Sequence, residues 1–163
     1  MSVQKVRDYL AAYGKEKDVK EFEVSSATVE LAAEAVGVIP ARIAKSLTFL
    51  SKDGERCYMI LAAGDAKIDN SKYKHYFGLK AKMLDAEQVM AFTGHPIGGV
   101  CPFALPDDGA HVDVYLDESL KRFETVFPAA GSAASAVTMT CDELTVCSRA
   151  KAWVDLCKGW QEE

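Results

Sequence analysis

Apolar positions recur at helical spacing from the start of the chain. Val3, Val6, Leu10 and Tyr13 form one stripe with Gly14 as its stop, so Ser2 to Tyr13 reads as a helix. Val19 to Val24 alternates as a strand. Ser25-Ser26 offers N-cap oxygens to a helix through Leu31-Ala32-Ala33 to Val36, closed by Gly37, and Pro40 opens a short turn. Ile43 to Leu50 and Cys57 to Ala63 are strands by residue type, and Lys52-Asp53-Gly54-Glu55 between them is a hairpin signal. Asn70 to Phe77 is helical with Gly78 beyond it, and Asp85-Ala86-Glu87-Gln88 has the form of a capping box for a helix ending before Gly94. Apolar stretches follow at Val100 to Leu105 and His111 to Leu116, separated by Pro106-Asp107-Asp108-Gly109. Val137 to Thr140 reads as a last strand, Thr140-x-x-Glu143 caps a short helix, and Arg149 to Trp160 reads as a helical tail. Hairpins rather than regular βαβ alternation favour an α+β class with a mixed, strongly curved sheet over a doubly wound one.

Composition narrows this picture. With 163 residues, 49% hydrophobic and 26% charged, the chain suits one globular domain and is not disordered. The longest apolar run, Cys57 to Ala63, is far short of the roughly 20 residues of a membrane span. No signal core follows Met1, so a soluble, cytoplasmic protein is expected. Five cysteines without a C-x-x-C pair make a disulfide framework unexpected, and three scattered histidines give no metal spacing. A formal charge of −5 disfavours a general nucleic-acid coat but permits a local basic patch. Residues 67 to 82 provide one, with Lys67, Lys72, Lys74, Lys80 and Lys82 against Asp69. Tyr73, Tyr76 and Phe77 interleave with these lysines, a mixture suited to phosphates and stacked bases, or to a solvated helix face with its aromatics in the core.

Candidate chemistry centres on Lys45. Strand alternation sets it on the face of Ile43, Leu47 and Phe49, where a lysine either snorkels to an edge or projects into a pocket that needs an anionic partner. The second candidate is Gly94-His95-Pro96-Ile97-Gly98-Gly99-Val100-Cys101-Pro102, a rigid loop. Its glycines can turn backbone N–H groups toward a ligand oxygen, or simply make a turn. His95 is either a general base or a solvent-facing loop histidine, and Cys101 either a thiolate or a packing residue with no cation nearby in sequence. No G-x-G-x-x-G, P-loop, G-x-S-x-G or His-Glu-x-x-His pattern occurs.

In their order and spacing these features resemble the YbaK/EbsC family. It comprises free-standing deacylases of mischarged tRNA and the editing domain inserted in bacterial prolyl-tRNA synthetases. The carrying residues are Thr28 with Leu31-Ala32-Ala33 and Gly37, Ile43-Ala44-Lys45-Ser46-Leu47, Gly64-Asp65 with Lys67, Asp69 and Lys72, Gly94 with Ile97-Gly98-Gly99-Val100-Cys101-Pro102, and Gly131-Ser132. The resemblance spans about residues 25 to 145. It implies a single compact domain whose barrel-like mixed sheet is surrounded by helices. It also implies hydrolysis, without metal or organic cofactor, of the ester joining a wrong amino acid to the tRNA 3′ adenosine. Lys45 matches the family's essential lysine. Ser46, Gly98, Gly99, Val100, Cys101, Pro102, Gly131 and Ser132 are implied to bind substrate, and Lys67, Lys72 and Lys74 to hold tRNA. The implied partners are a mischarged tRNA, in particular tRNA(Pro), and prolyl-tRNA synthetase. The segment from Ala129 to Ser135 departs from members acting on cysteinyl-tRNA, which carry a serine and an acidic residue near it; Ser132 or Ser135 is the candidate replacement, and the amino acid removed stays open.

Overall fold

The structure, a computed structural model, describes residues 2–23 and 28–160. The first half holds α1 (Ser2–Ala11), β1 (Val19–Glu21), α2 (Val29–Val36), β2 (Ile43–Leu50), β3 (Cys57–Ala63), β4 (Lys67–Ile68) and α3 (Asn70–Phe77). The second holds α4 (Ala86–Thr93), β5 (Val112–Asp117), β6 (Thr125–Pro128), β7 (Ser135–Val137), β8 (Met139–Thr140), α5 (Cys141–Ser148), β9 (Ala152–Val154) and β10 (Cys157–Lys158). Six strands form a curved mixed sheet in the order β8-β6-β2-β3-β5-β9. The β2–β3 hairpin is antiparallel and registers Ala44 with Ala63 through Leu50 with Cys57. The pairs β2–β6, β3–β5 and β5–β9 are parallel. The fold is therefore the α+β class read from the sequence.

Local chemistry explains most boundaries. Asp85 and Gln88 close a reciprocal capping box at α4, as Thr140 and Glu143 do at α5. The N-cap of α2 is Thr28, whose hydroxyl accepts from Leu31 N at 3.1 Å; Ser25-Ser26 lie outside the described residues, as does the end of the strand expected to reach Val24. Two expectations are corrected. Val137 to Thr140 is two short strands that pair with different partners, β1 and β6. The tail from Arg149 is not helical: Ala152–Val154 pairs with β5 and Cys157–Lys158 with β4. Open strand edges recruited those residues, and pairing there outweighs a weak helical spacing.

The two sheet faces bury different things. Met59, Leu61, Ala63 and Ala44 join the main core with α1, α4 and α5. The opposite face carries Leu47, Phe49 and Ile60 against Tyr73, Phe77 and Leu156. Tyr73 lies 4.9 Å from Phe49, and Phe77 stacks on Tyr58 at 4.5 Å. Two of the aromatics interleaved with the basic island thus face inward, while Tyr76 stays half exposed.

Candidate functional site

Lys45 sits on the second face, opposite Ala62, beyond the reach of the aromatic cluster. Its ammonium donates to the main-chain oxygens of Gly64 (3.4 Å) and Ala66, in the turn that follows β3. That turn is tightly built: a Cβ on Gly64 would stand 2.6 Å from Val29 Cγ1, so α2 closes over the backbone there. Asp65 is committed elsewhere, with Oδ1 and Oδ2 taking Arg122 at 2.6 and 3.0 Å. Among the described residues Lys45 forms no ion pair. Burial pushes its ammonium below the usual lysine range, and Asp65 and Glu30 oppose this only in part.

A cavity of about 260 Å³ opens beside β2. Lys45 and Ser46 line it, with Thr28, Val29 and Ala32 from the start of α2, Leu84 and Val89 around α4, and Phe127, Ala129, Ser135 and Ala136 from the far side. Gly98 and Val100 form its glycine-loop wall, and Met83 and Ile97, both largely exposed, stand at its mouth. Among the described residues Lys45 is the one titratable side chain in this lining. The cavity lies where β2 loses its outer neighbour. The strand β6 pairs only with Ile43 and Ala44, and the segment at Lys82 to Leu84 pairs only with Thr48 to Leu50.

The glycine loop is fixed from behind. Gly99 packs on the 131–132 turn so closely that a Cβ would meet Ser132 N at 2.5 Å, and Gly131 N donates to Gly99 O at 3.1 Å. The structure therefore brings Lys45, Ser46, Gly98 and Val100 to one cavity, while Gly99, Gly131 and Ser132 support its wall. Cys101 and Pro102 do not reach it. Cys101 is fully buried, with its thiol pushed up to about 12 by burial, and Pro102 faces a separate cavity. His95 is neither solvent-facing nor a base at the cavity. It is fully buried, its Nε2 2.7 Å from Phe103 O and 3.5 Å from Cys101 Sγ, and burial lowers its pKa. Of the two candidate serines, Ser135 lines the cavity, yet its hydroxyl is consumed by Ala130 N, Ser132 N and Ser132 O at 3.1 to 3.2 Å. Phe127 had no local signal, because β6 becomes a strand only through its neighbours.

The basic island divides. Lys72 is tied to the tail, donating to Asp155 at 2.9 Å and to Cys157 O at 3.1 Å. Lys67, Lys74, Lys80 and Lys82 are exposed. Among the described residues no cluster of three His, Cys, Asp or Glu could hold a metal ion, and no helix is long and apolar enough to cross a membrane.

The profile of the aminoacyl-tRNA editing domain family matches residues 23–146, which contain every wall of this cavity. The chain belongs to that family. Protein YwhH of Bacillus subtilis, itself uncharacterized, is 54% identical over 99% of this editing domain and 100% of its own length. The proline–tRNA ligase of Thermotoga neapolitana is 33% identical over 58% of the chain, which spans only 15% of that ligase. A solved structure described as a candidate trans-editing enzyme for prolyl tRNA synthetase superposes with a TM-score of 0.85 at 31% identity, covering 97% of this chain and 98% of that one. The fold and the relationship to the synthetase editing domain follow from these matches.

Proposed function

We propose that this editing domain is a free-standing deacylase of mischarged tRNA(Pro), acting in the cytoplasm on substrate released by prolyl-tRNA synthetase. One observation carries the reading: an ammonium that has no ion-pair partner among the described residues, held by two main-chain carbonyls at the wall of a cavity whose other described side chains are uncharged. Such a charge is costly unless a ligand supplies the anion or the developing negative oxygen. Two of its three N–H groups are spent on Gly64 and Ala66, which fixes the direction of the third.

In the reaction, water attacks the ester carbonyl carbon, the bond to the ribose oxygen breaks, and the water's proton ends on that oxygen. Lys45 orients the 3′-terminal nucleotide or polarises the ester. The Gly98–Val100 wall shapes the aminoacyl space, and Lys67 and Lys74 meet the acceptor-stem phosphates. Among the described residues no cavity side chain other than Lys45 is titratable, so the reading relies on an activated ester placed correctly rather than on a strong base. The test is a panel of tRNA(Pro) charged with cysteine, alanine, serine or threonine, followed for ester loss. Turnover of at least one supports the reading. Protection of the ester without turnover replaces it with a binding module.

A further inference from the structure

The gap along β2 exposes one residue's main chain. Thr48 O accepts from Leu84 N at 3.2 Å and Leu50 N donates to Lys82 O at 2.9 Å, so the even-numbered residues of β2 turn their backbone groups away from β3. Ala44, paired with Pro128 of β6, faces the same way. A strand alternates with period two, which puts the N–H and C=O of Ser46 on that edge as well. There β6 has already ended and the Lys82–Leu84 segment has not begun. Among the described residues neither group has a backbone partner, and Ser46 Oγ is buried without one. Three unsatisfied polar atoms of one residue therefore line the cavity beside Lys45. A buried hydroxyl is expensive to leave unpaired, and two main-chain groups left without a strand partner beside it make one residue's full set of polar atoms available to a ligand.

We infer that Ser46 pairs with the aminoacyl group of the substrate as one strand residue pairs with another. An esterified amino acid keeps the elements of a backbone residue, an amine nitrogen and a carbonyl oxygen on either side of one carbon. Opposite Ser46 it completes a hydrogen-bonded antiparallel pair: the α-ammonium donates to Ser46 O, and the ester carbonyl accepts from Ser46 N–H. The second bond does chemical work, because an N–H aimed at the carbonyl oxygen stabilises the negative charge that forms as water adds. Recognition by main chain is indifferent to the amino acid side chain but demands a free α-amine. This inference rests on the deacylase reading and gives it a substrate requirement.

Two measurements in separate channels test it. In the first, seryl- and alanyl-tRNA(Pro) are compared with their N-acetylated forms, each rate corrected for spontaneous ester loss. The free-amine forms should be cleaved at least tenfold faster, and Ser46→Pro, which deletes an N–H that bonds nothing among the described residues, should cost about a hundredfold on them. In the second, the amide analogue 3′-alanylamino-3′-deoxyadenosine, which cannot be hydrolysed, is titrated into wild-type protein labelled with nitrogen-15. The Ser46 amide should shift and its hydrogen exchange slow at least tenfold. Absence of ester loss with a protected Ser46 amide would reject hydrolysis and retain the pairing. Equal cleavage of acetylated and free substrates, or a Ser46 amide unmoved at saturation, would overturn the pairing.

Discussion

The cavity beside β2 and a second one at the start of β5 invite comparison, at about 260 and about 290 Å³. The larger is far richer in charge, lined by Arg56, Arg149, Lys151, Asp108 and Asp113. Those charges satisfy one another. Arg56 grips Asp113 through two nitrogens and reaches Ala110 O at 3.0 Å, Arg149 meets Asp108 at 2.7 Å, and Lys151 stands 3.6 Å from Asp113. Its unpartnered side-chain oxygen is the neutral Ser148 Oγ. The smaller cavity holds one charge among the described residues, and that charge forms no ion pair with any of them. Size and polarity are thus poor guides to a site; what the fold leaves unpaired is the better one.

The largest expected effect separates the two cavities outright. Lys45→Met should reduce single-turnover deacylation by at least about a hundredfold, the scale of losing one oriented charge at a reacting centre. The variant should melt at or above the wild-type temperature, because it removes a cation that burial disfavours. The pH dependence has a definite sign. The folded-state pKa of Lys45 lies below its unfolded value, so the unfolded chain holds more protons between the two, and this residue's contribution to stability rises with pH there. Below that window the penalty is constant. The stability advantage of Lys45→Met should therefore shrink as pH is raised toward about 10, read from denaturant midpoints of both proteins. A folded Lys45→Met protein with near-wild-type rate would dissolve the contrast.

Next in size is Gly99→Ala. The new Cβ would collide with the backbone of Ser132, so the loop or the turn must move, at a cost of about 2–3 kcal/mol judged from overpacked interiors. Melting temperature and rate should fall together. At the other cavity, Arg56→Met leaves Asp113, only 8% exposed, without its bidentate partner. A loss of about 1–2 kcal/mol is expected from urea unfolding, with deacylation unchanged. The smallest effect belongs to the surface: Lys67→Glu with Lys74→Glu should weaken tRNA binding a few-fold at moderate salt and flatten its salt dependence, leaving cleavage of a minimal aminoacyl ester intact. An unaltered salt slope would return the island to a solvated face.

Much of this contrast was legible in the sequence where it depended on local rules. The period of two in Ile43-Ala44-Lys45-Ser46-Leu47 placed Lys45 correctly, and both capping boxes marked their helices. The glycine loop was half read. Gly98 and Val100 do face the cavity, but Cys101 turns inward and Pro102 emerges on the other side, since a chain diving through a core has no period to follow. The tail misled for a related reason. Trp153, Leu156, Cys157 and Trp160 mimic a helical stripe, and only the vacant edges of β5 and β4, far away in sequence, turn them into strands. The gap at Ser46 was equally invisible, because it is defined by where two other segments stop.

Both tryptophans belong to that tail, and their placement makes them an optical reporter of one end of the molecule. Trp153 lies 4.6 Å from the Lys121 ammonium, while Trp160 sits under the Arg122 guanidinium at 5.1 Å. Arg122 in turn holds Asp65, between the two residues whose carbonyls anchor Lys45. The emission of Trp160 therefore monitors the clasp behind the lysine, while Trp153 reports β9 beside Lys121, and the sheet's aromatic cluster of Tyr58, Tyr73, Tyr115, Phe49 and Phe77 contains no indole. Trp153→Phe leaves a single emitter two contacts from the Lys45 anchors, so a ligand that engages the lysine can be followed by the emission of Trp160 without any added label.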